Sequence, residues 1–346
     1  MKIVVLAAGT STERSVSIVS GTGICKALRS LGHKAILVDV FSGWAEANPE
    51  TAFDGDYDVD GAAAYIHSFD AQVEKEKKTR RRFFGPKVID LCLAADFVFI
   101  TLHGSNGEDG RVQATFDLLG IRYTGPDYIS SAIAMDKSYT KRVFTGAGVT
   151  TPKGIVITRE DEGKTAADFG MELPVIIKPC CGGSSVGVTI CHTEADVAAG
   201  EKLAFSLEEN AVMEEFIDGD EFTCAVIDGK PYPVVSIVPK QGYYDFSNKY
   251  KAGATEEICP ARIPDELTKE IQDLAVKAYR AIGLEAYARM DFLVRKSDRK
   301  VYCIEANTLP GMTPTSLVPR EAAAVGIDYA HLCQLMLDVS AAKYEG

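Results

Sequence analysis

Two short apolar segments with a helix between them open the chain, and they constrain its fold more than any other feature. KIVVLAA (2–8) and KAILVDV (34–40) are mostly apolar, and residues 16–31 between them have the spacing of a helix. Strands of a parallel sheet are nearly continuous apolar runs, because helices cover both faces of the sheet. A third apolar run, DFVFITL (96–102), precedes a further predicted helix at 111–119. The N-terminal part therefore predicts an α/β fold with a doubly wound parallel sheet.

The pattern changes after residue 125. A predicted helix at 128–145 is followed by short apolar segments, and the later ones are separated by turns that contain Gly and Asp, as in antiparallel sheets. An amphipathic helix begins at Asp265 and ends at Gly283. We therefore predict three domains, with α+β character in the C-terminal parts. Their limits are 1–125, 126–214 and 215–346.

Charge and composition exclude several classes of protein. The 346 residues carry 37 Lys and Arg against 49 Asp and Glu, a formal net charge of −12, which disfavours binding to nucleic acid or to anionic membranes. No apolar run approaches the about 20 residues that span a bilayer. The N-terminal apolar run stops at Gly9, so we interpret it as a strand and not as a signal peptide.

The cysteines and one basic run have plain interpretations. The nine cysteines show no CxxC spacing, which indicates neither a disulfide framework nor a zinc site and favours a reducing cytoplasm. The adjacent Cys180 and Cys181 allow a redox role, although we favour packing. KEKKTRRR (75–82) predicts a solvated helix face or loop, and a nucleic-acid patch is the disfavoured alternative.

A predicted hairpin at 287–307 carries the strongest cluster of polar side chains. If its turn is centred on Asp298, Asp291 lies opposite Glu305 and Arg289 lies opposite Asn307, on one face. Hard oxygen ligands suit Mg²⁺, and two close carboxylates need a cation to offset their repulsion. The alternative is a charged strand pair that faces solvent, and a slip of one residue would break the cluster.

A glycine-rich loop follows the predicted strand VIIK. In KPCCGGSSVGV (178–188) the glycines let the backbone approach a ligand, Ser184 adds a hydroxyl, and Lys178 could supply a charge. Consecutive backbone N–H groups in such a loop favour phosphate oxygens. The segment lacks the GxxxxGK[ST] pattern of a Walker A loop. A plain turn is the alternative.

Polar residues also follow the predicted parallel strands, where open α/β sheets bind ligands. His103 opens HGSNGEDG (103–110), and Glu13 lies in the loop after the first strand. An ordinary loop histidine and an acid at a helix start are the alternatives. Gly311, in the turn-rich segment 307–319, is suited to present a backbone N–H to an oxyanion, unless that segment is only a connection.

Together and in this order, these segments resemble the ATP-grasp ligases, and specifically the D-alanine–D-alanine ligase family. Only residues 42–86 lack a clear counterpart and look like an expansion. The segments that carry the resemblance are GTSTERSVS (9–17), HGSNGEDG (103–110), MDKSYTK (135–141), KPCCGGSSVGV (178–188), MEEFIDGDEFT (213–223), YYDFSNKY (243–250), ARMDF (288–292) and EANTLPGMTPTSLVP (305–319).

The resemblance implies an ATP-grasp fold of three domains with ATP between two antiparallel sheets. It implies that ATP phosphorylates one D-alanine and that the amine of a second D-alanine then forms the dipeptide used for peptidoglycan. ATP is then a substrate, with two Mg²⁺ ions, for which Mn²⁺ is an alternative. It further implies a cytoplasmic homodimer that acts on small molecules. Ligases that use D-lactate or D-serine as the second substrate, and a nucleotide-binding protein without ligase activity, are the rival hypotheses.

The resemblance also implies roles for individual residues around ATP and the metal. Arg289 would stabilise the transition states, Gly311 would bind an oxyanion, and both would contact substrate. The metal ligands would be Asp291, Glu305 and Asn307. The implied phosphate-binding residues are Lys137 and Lys178, with Lys249 near the γ-phosphate. Glu214 and Glu221 would lie at adenine and ribose, with the strand Glu215, Phe216 and Ile217 under adenine. Ser184 is also an implied ATP-binding residue.

The remaining implied roles concern the two D-alanine sites. Glu13 would hold the ammonium group of the first substrate, with His103 nearby. The second substrate would contact Ser316 and Leu317. Glu13, Ser184 and Tyr250 would form a hydrogen-bonded set that closes loops over the site and excludes water. A tyrosine at 250 argues for an amine as the acceptor.

Overall fold

The predicted N-terminal strands form a three-stranded parallel sheet in the computed structural model, which describes residues 1–183, 185–240 and 255–345. Strand β1 (Lys2–Ala7) lies in the centre, between β2 (Lys34–Asp39) and β3 (Phe97–Ile100). Ile3 to Ala7 are fully buried. The continuous apolar runs thus become strands covered on both faces, which confirms the predicted fold class of this part.

Five helices accompany this sheet, and three of them, two within residues 42–86 and one after that segment, are not predicted from the sequence. Within residues 42–86 the chain forms two short helices whose buried residues are only Val59, Ile66 and Val73, too few for a helical period to show in the sequence. The basic run after them is mostly exposed, as expected. The helices are α1 (Arg14–Ser30), α2 (Val59–His67), α3 (Asp70–Glu76), α4 (Val88–Ala94) and α5 (Arg111–Leu119).

The single helix predicted at 128–145 is wrong, because Asp136 divides it into α6 (Tyr128–Met135) and α7 (Lys137–Gly146). Asp136 has an extended backbone, and its carboxylate accepts hydrogen bonds from the backbone N–H groups of Ser138 at 2.8 Å and Tyr139 at 3.4 Å. An N-cap of this kind starts a new helix. The break places Lys137 at the first position of α7.

After the N-terminal sheet, the described residues form two antiparallel sheets, as predicted. The first has the order β4-β7-β5-β6 and packs against α8 (Glu194–Leu207). The second has the order β11-β10-β8-β12-β13, with β9 paired to β8. The strands are β4 (Gly154–Thr158), β5 (Val175–Pro179), β6 (Thr189–Cys191), β7 (Asn210–Glu215), β8 (Gly219–Ile227), β9 (Lys230–Pro231), β10 (Val235–Pro239), β11 (Thr255–Ile258), β12 (Tyr287–Arg295) and β13 (Val301–Asn307).

Three helices complete the C-terminal part, and the last two connect the second sheet to the N-terminal sheet. Helix α9 (Asp265–Ile282) packs on β8, β12 and β13 through its predicted apolar face and ends at Gly283, which has a positive φ of 78°. Helices α10 (Leu317–Ala324) and α11 (Tyr329–Ala341) follow. Helix α11 packs against α1, so the C-terminal segment shares a core with the N-terminal sheet. The limits 1–125, 126–214 and 215–346 stay predictions.

All nine cysteines lie in the described ranges and are free thiols. Across those same ranges, no helix combines the length and the apolar character needed to cross a bilayer.

Candidate active site

The hairpin of β12 and β13 brings the predicted polar cluster together. Arg289 lies opposite Asn307 and Asp291 opposite Glu305, so both predicted pairs are confirmed. Nearer the turn, the pairing differs from the prediction, because Phe292 lies opposite Cys303. A β-bulge lies between this pair and the pair of Asp291 with Glu305. One extra residue in β13 therefore restores the pairs that a turn centred on Asp298 would have given.

Asp291 is the most heavily hydrogen-bonded carboxylate of this cluster. Arg289 donates from Nε to Oδ1 at 2.8 Å and from Nη2 to Oδ2 at 2.7 Å. Thr223 Oγ1, on the neighbouring strand β8, donates to Oδ1 at 2.6 Å, and Asn307 Nδ2 donates to Oδ2 at 3.0 Å. Arg289 is 6% exposed and Asp291 is 5% exposed. The buried charges therefore compensate each other.

A cavity of about 660 Å³ lies beside this cluster and collects residues from distant parts of the chain. Nine residues that the sequence analysis singled out contribute to its lining, which brings them together in one place. They are Glu13, His103, Lys137, Arg289, Glu305, Asn307, Gly311, Ser316 and Leu317. Their individual roles stay predictions.

The parallel sheet presents two of these residues. Glu13 lies in the loop after β1 and His103 in the loop after β3, at the carboxyl ends of adjacent strands. Strands that run in parallel end on the same edge, which explains why residues 90 positions apart in sequence meet. His103 is buried, whereas Glu13 is partly exposed. The edge of the sheet therefore forms one wall of the cavity.

The turn-rich segment after Asn307 forms another wall and is held in place by hydroxyl groups. Ser316 Oγ accepts a hydrogen bond from the Thr313 backbone N–H at 3.0 Å. Tyr329 donates its hydroxyl proton to the Met312 carbonyl at 2.6 Å. A Cβ atom at Gly311 would lie 3.2 Å from Ser316 Oγ, so glycine gives this turn its tight approach. The segment is thus rigidly connected to α10 and α11.

Lys137 reaches the cavity from the start of α7. Its side chain donates a hydrogen bond to the Gly182 carbonyl, and its backbone N–H donates to the Cys180 carbonyl at 2.9 Å. The helix break at Asp136 thereby attaches the lysine to the glycine-rich loop. Burial raises the pKa of the Cys180 thiol to about 12, which supports packing and not a redox role for this residue.

A second lysine group lies away from that cavity, around Glu214. The Glu214 carboxylate is 2% exposed and forms ion pairs with Lys178 and with Lys141, the latter at 2.6 Å. Burial alone would raise the pKa of Glu214, but the two ammonium groups lower it overall. Burial also lowers the pKa of Lys141. Sequence reasoning missed Lys141, although it lies one helical turn after Lys137 and so shares its helix face.

Several predicted ATP-binding residues do not line the 660 Å³ cavity. Glu215 accepts a hydrogen bond from the Lys153 backbone N–H at 2.7 Å, and the Phe216 ring lies edge-on to His192. Among the described residues, the predicted ATP-binding residues off this lining are Lys178, Glu214, Glu215, Phe216, Ile217 and Glu221. The predicted metal ligand Asp291 is off this lining as well. Ser184, Lys249 and Tyr250 lie outside the described residues, so their implied roles stay predictions.

Three charged residues of the lining were not identified from the sequence. Glu108 accepts a hydrogen bond from the Gly104 backbone N–H at 2.6 Å and so shapes the loop that carries His103. Arg320 pairs with Glu257 at 3.1 Å and donates to the Thr315 carbonyl at 2.9 Å. Helix α10 and strand β11 supply these two partners, and no sequence pattern connects them.

The donor set of the hairpin fits a hard divalent cation. Two carboxylates and one carboxamide are oxygen donors of the kind that Mg²⁺ prefers, and Glu305 and Asn307 both line the cavity. Asp291 already accepts four hydrogen bonds, so it would have to release at least one donor to bind a cation. Within the described ranges, no group of three or more His, Cys, Asp or Glu side chains is arranged to hold a metal.

Comparison with known proteins gives consistent results over the whole chain. The sequence profile of the D-ala D-ala ligase N-terminus matches residues 2–126, and that of the D-ala D-ala ligase C-terminus matches residues 143–338. The D-alanine–D-alanine ligase of Pediococcus pentosaceus is 40% identical over 341 residues, which cover 96% of each chain.

Solved structures agree with this result. The D-alanine–D-alanine ligase from Bacillus anthracis complexed with ATP is 29% identical, with a TM-score of 0.75 and complete coverage of both chains. The VanG D-Ala:D-Ser ligase from Enterococcus faecalis is 27% identical, with a TM-score of 0.77 over 98% of this chain and 99% of its own. Both similarities cover all or nearly all of this chain.

Proposed function

This chain belongs to the D-alanine–D-alanine ligase family, and we propose that it joins two molecules of D-alanine into D-alanyl-D-alanine at the expense of ATP. One observation carries the proposal beyond family membership: a single cavity collects Glu13, Lys137, Arg289 and Glu305. Such a reaction needs three kinds of group in one place: a carboxylate that binds an ammonium group, cations that bind phosphate, and a carboxylate that binds a metal.

In the first step, a carboxylate oxygen of the first D-alanine attacks the γ-phosphorus of ATP. The O–P bond of the acyl phosphate forms, the bond to the bridging oxygen breaks, and ADP leaves. We assign Glu13 to the substrate ammonium group, because opposite charges attract strongly in a partly buried cavity. Lys137 and Arg289 offset the negative charge of the transferring group.

In the second step, the amine of the other D-alanine attacks the acyl carbon. The C–N bond forms, the tetrahedral intermediate expels inorganic phosphate, and the nitrogen loses a proton. Phosphate is a far better leaving group than the oxygen of a free carboxylate, which is why the first step is needed. We assign the Gly311 backbone N–H and Arg289 to the developing oxyanion, with the acceptor beside Ser316 and Leu317.

We further propose that Asp291, Glu305 and Asn307 hold two Mg²⁺ ions. Bound Mg²⁺ would supply positive charge that offsets the charge on the reacting phosphates. The residues that would bind ATP are Lys178, Lys249, Glu214, Glu215, Phe216, Ile217 and Glu221. Ser184 and Tyr250 would close the site together with Glu13. We propose a homodimer that acts in the cytoplasm and supplies peptidoglycan synthesis.

The similarity to the VanG D-Ala:D-Ser ligase makes D-serine the second candidate acceptor. Higher identity to a D-alanine–D-alanine ligase supports D-alanine as the preferred one. A mixture of D-alanine with equimolar D-serine or D-lactate, incubated with ATP and Mg²⁺, separates these cases by the mass of the product. We expect D-alanyl-D-alanine to predominate.

Phosphate release from ATP tests the proposal as a whole, with a reaction lacking D-alanine as the background. We expect release that depends on D-alanine and is matched by dipeptide formation. ATP binding without any D-alanine-dependent phosphate release at saturating Mg²⁺ would refute ligase activity and favour a nucleotide-binding protein.

A further inference from the structure

The residue after Glu13 is a buried arginine that joins four separate segments. Arg14 is 8% exposed, and its guanidinium donates from Nε to Asp70 Oδ1 at 2.8 Å and from Nη2 to Asp39 Oδ2 at 2.7 Å. Nη1 donates to the Gly9 carbonyl at 2.8 Å, and Nη2 also donates to the Ile66 carbonyl at 3.2 Å. A planar fork with this many partners has one orientation only.

The loop that carries Glu13 depends on such external contacts. Ala8 has a positive φ of 69° and Gly9 one of 81°. A side chain at positive φ is strained, at a cost of order 1–3 kcal/mol, and persists only when its surroundings hold it. Ser17 Oγ accepts a hydrogen bond from the Ala8 N–H at 2.8 Å on one side of the loop. Arg14 holds the Gly9 carbonyl on the other side.

Asp39 anchors the arginine to the sheet. Its Oδ1 accepts hydrogen bonds from the backbone N–H groups of Phe41 at 2.8 Å and Gly9 at 3.3 Å, while its Oδ2 binds Arg14. Asp39 is 1% exposed and terminates β2. The loop after β1 and the end of β2 are therefore connected through one buried ion pair.

The other two partners of Arg14 come from residues 42–86, a segment that lies within the match of the N-terminal family profile to residues 2–126. Ile66 lies in α2, and Asp70 is the first residue of α3. Asp70 is itself held by His67, whose Nδ1 lies 3.0 Å from Oδ2. Half of the hydrogen bonds of the Arg14 guanidinium thus depend on residues 42–86.

We propose that the helix pair α2–α3 positions Glu13 through Asp70 and Arg14, so that Asp70 is a positioning residue for the first substrate. The assignment rests on the proposed function, in which Glu13 holds the ammonium group of the first D-alanine. Residues 42–86 then complete the set of partners that orients the buried arginine beside Glu13. Asp70 lies outside the lining of the 660 Å³ cavity.

The substitution Asp70→Ala tests this inference, and Asp60→Ala is its matched control. Asp60 lies in α2 and pairs with Lys26 at 2.6 Å, but its side chain is 74% exposed and contacts neither Arg14 nor the loop. We expect Asp70→Ala to raise KM for the first D-alanine by about fivefold, the net contribution of one typical hydrogen bond, because the Asp70 side chain is half exposed. KM for ATP and for the second D-alanine should stay within about twofold.

A second measurement does not require activity. Hydrogen exchange of the unliganded protein should be faster at the amides of residues 8–13 in Asp70→Ala and unchanged in Asp60→Ala. Unchanged exchange in Asp70→Ala would overturn the inference. Faster exchange with an unchanged KM for the first D-alanine would overturn the role of Asp70 in positioning substrate. Wild-type protein without D-alanine-dependent turnover would refute the proposed function instead, while the exchange result would still decide whether α2–α3 braces the loop.

Combining Asp70→Ala with Arg14→Lys tests whether the two residues act as one unit. A lysine keeps the charge but cannot hold four partners in a plane. We expect the double variant to raise KM for the first D-alanine no more than Arg14→Lys does alone, because the network is already broken. Fully additive effects would overturn the connection through Arg14. Asp70→Glu keeps the carboxylate, so its KM for the first D-alanine should lie between those of wild type and Asp70→Ala.

Discussion

Arg289 holds Asp291, two residues along the same strand, through two parallel hydrogen bonds of 2.8 and 2.7 Å. Residues two apart on a strand share a face, so the pair needs no help from tertiary contacts to meet. Both side chains are buried, and Arg289 lines the cavity while Asp291 does not. Arg289, the proposed stabiliser of the transferring phosphoryl group, is therefore bound directly to Asp291, a proposed metal ligand.

Replacement of Arg289 by lysine should lower kcat by about 100-fold or more, since an ammonium group cannot bind Asp291 bidentately and also face the cavity. Initial rates of phosphate release at saturating ATP and D-alanine measure the effect. Arg295→Lys is the matched control, because Arg295 binds Asp298 in the same bidentate way on the same strand, but at the surface. Equal rates in the two variants would contradict the assignment.

Glu305→Gln should abolish turnover and leave the fold intact, because it removes one negative charge from the proposed cation site while keeping the shape of the side chain. The Mg²⁺ dependence of phosphate release and a circular dichroism spectrum measure the two parts. Asp298→Asn, at the exposed turn of the same hairpin, should behave as wild type. Turnover of Glu305→Gln within about threefold of the parent would contradict the metal role.

Glu214→Gln should lower the free energy of unfolding by about 3 kcal/mol, because it leaves Lys141 and Lys178 close together without their shared carboxylate. Urea unfolding followed by fluorescence gives this value. Glu215→Gln, at the adjacent position, keeps an oxygen for the Lys153 N–H and should change stability by less than about 1 kcal/mol. Similar values for both variants would show that the buried ion pairs contribute little.

Glu321 should make the stability of the protein depend on pH. Burial raises the pKa of its carboxyl to about 8, although its Oε2 accepts a hydrogen bond from the Ala225 N–H at 2.6 Å. The folded state therefore keeps a proton that the unfolded chain releases above its ordinary pKa of about 4.3. Stability is then greatest below that value and falls, by up to about 1.4 kcal/mol per pH unit, until pH reaches about 8.

Glu321→Gln imitates the protonated carboxyl and should remove this slope. Urea unfolding of both proteins at about pH 5.5 and about pH 8.5 tests the expectation, with the exposed Glu266→Gln as the control. We expect the stability of the variant relative to wild type to be clearly greater at about pH 8.5 than at about pH 5.5. A parallel fall of both proteins would show that Glu321 titrates at its ordinary pKa.

The local patterns of the chain predicted more of the site than of its surroundings. The predicted pairs of the hairpin are correct, because a hairpin and the two-residue period of its strands suffice to bring together Arg289, Asp291, Glu305 and Asn307. Even here the bulge in β13 was not predictable, since side-chain packing near the turn decides which residue is left unpaired. The order of strands and helices likewise identified the parallel sheet at whose edge Glu13 and His103 meet.

Other parts of the site depend on contacts that no local pattern records. The break at Asp136 was missed because an aspartate within an apolar helical period can equally face solvent. The pairing of Lys141 with Glu214 and of Arg320 with Glu257 joins segments dozens of residues apart. Helices α2 and α3 bury too few apolar residues to produce a period that could be recognised.

By itself, the sequence determined the parallel N-terminal sheet, the antiparallel sheets after it, the pairing of Asp291 with Glu305 and of Arg289 with Asn307, and the family. These follow from the spacing of side chains along single strands and helices and from motifs in a fixed order. Only the tertiary structure decided that Asp291 is saturated by four donors, that Glu214 lies between two lysines, and that Asp70 reaches Arg14 beside Glu13. The reason is physical: a buried charge must find its partners wherever packing brings them, and packing is a property of the whole chain.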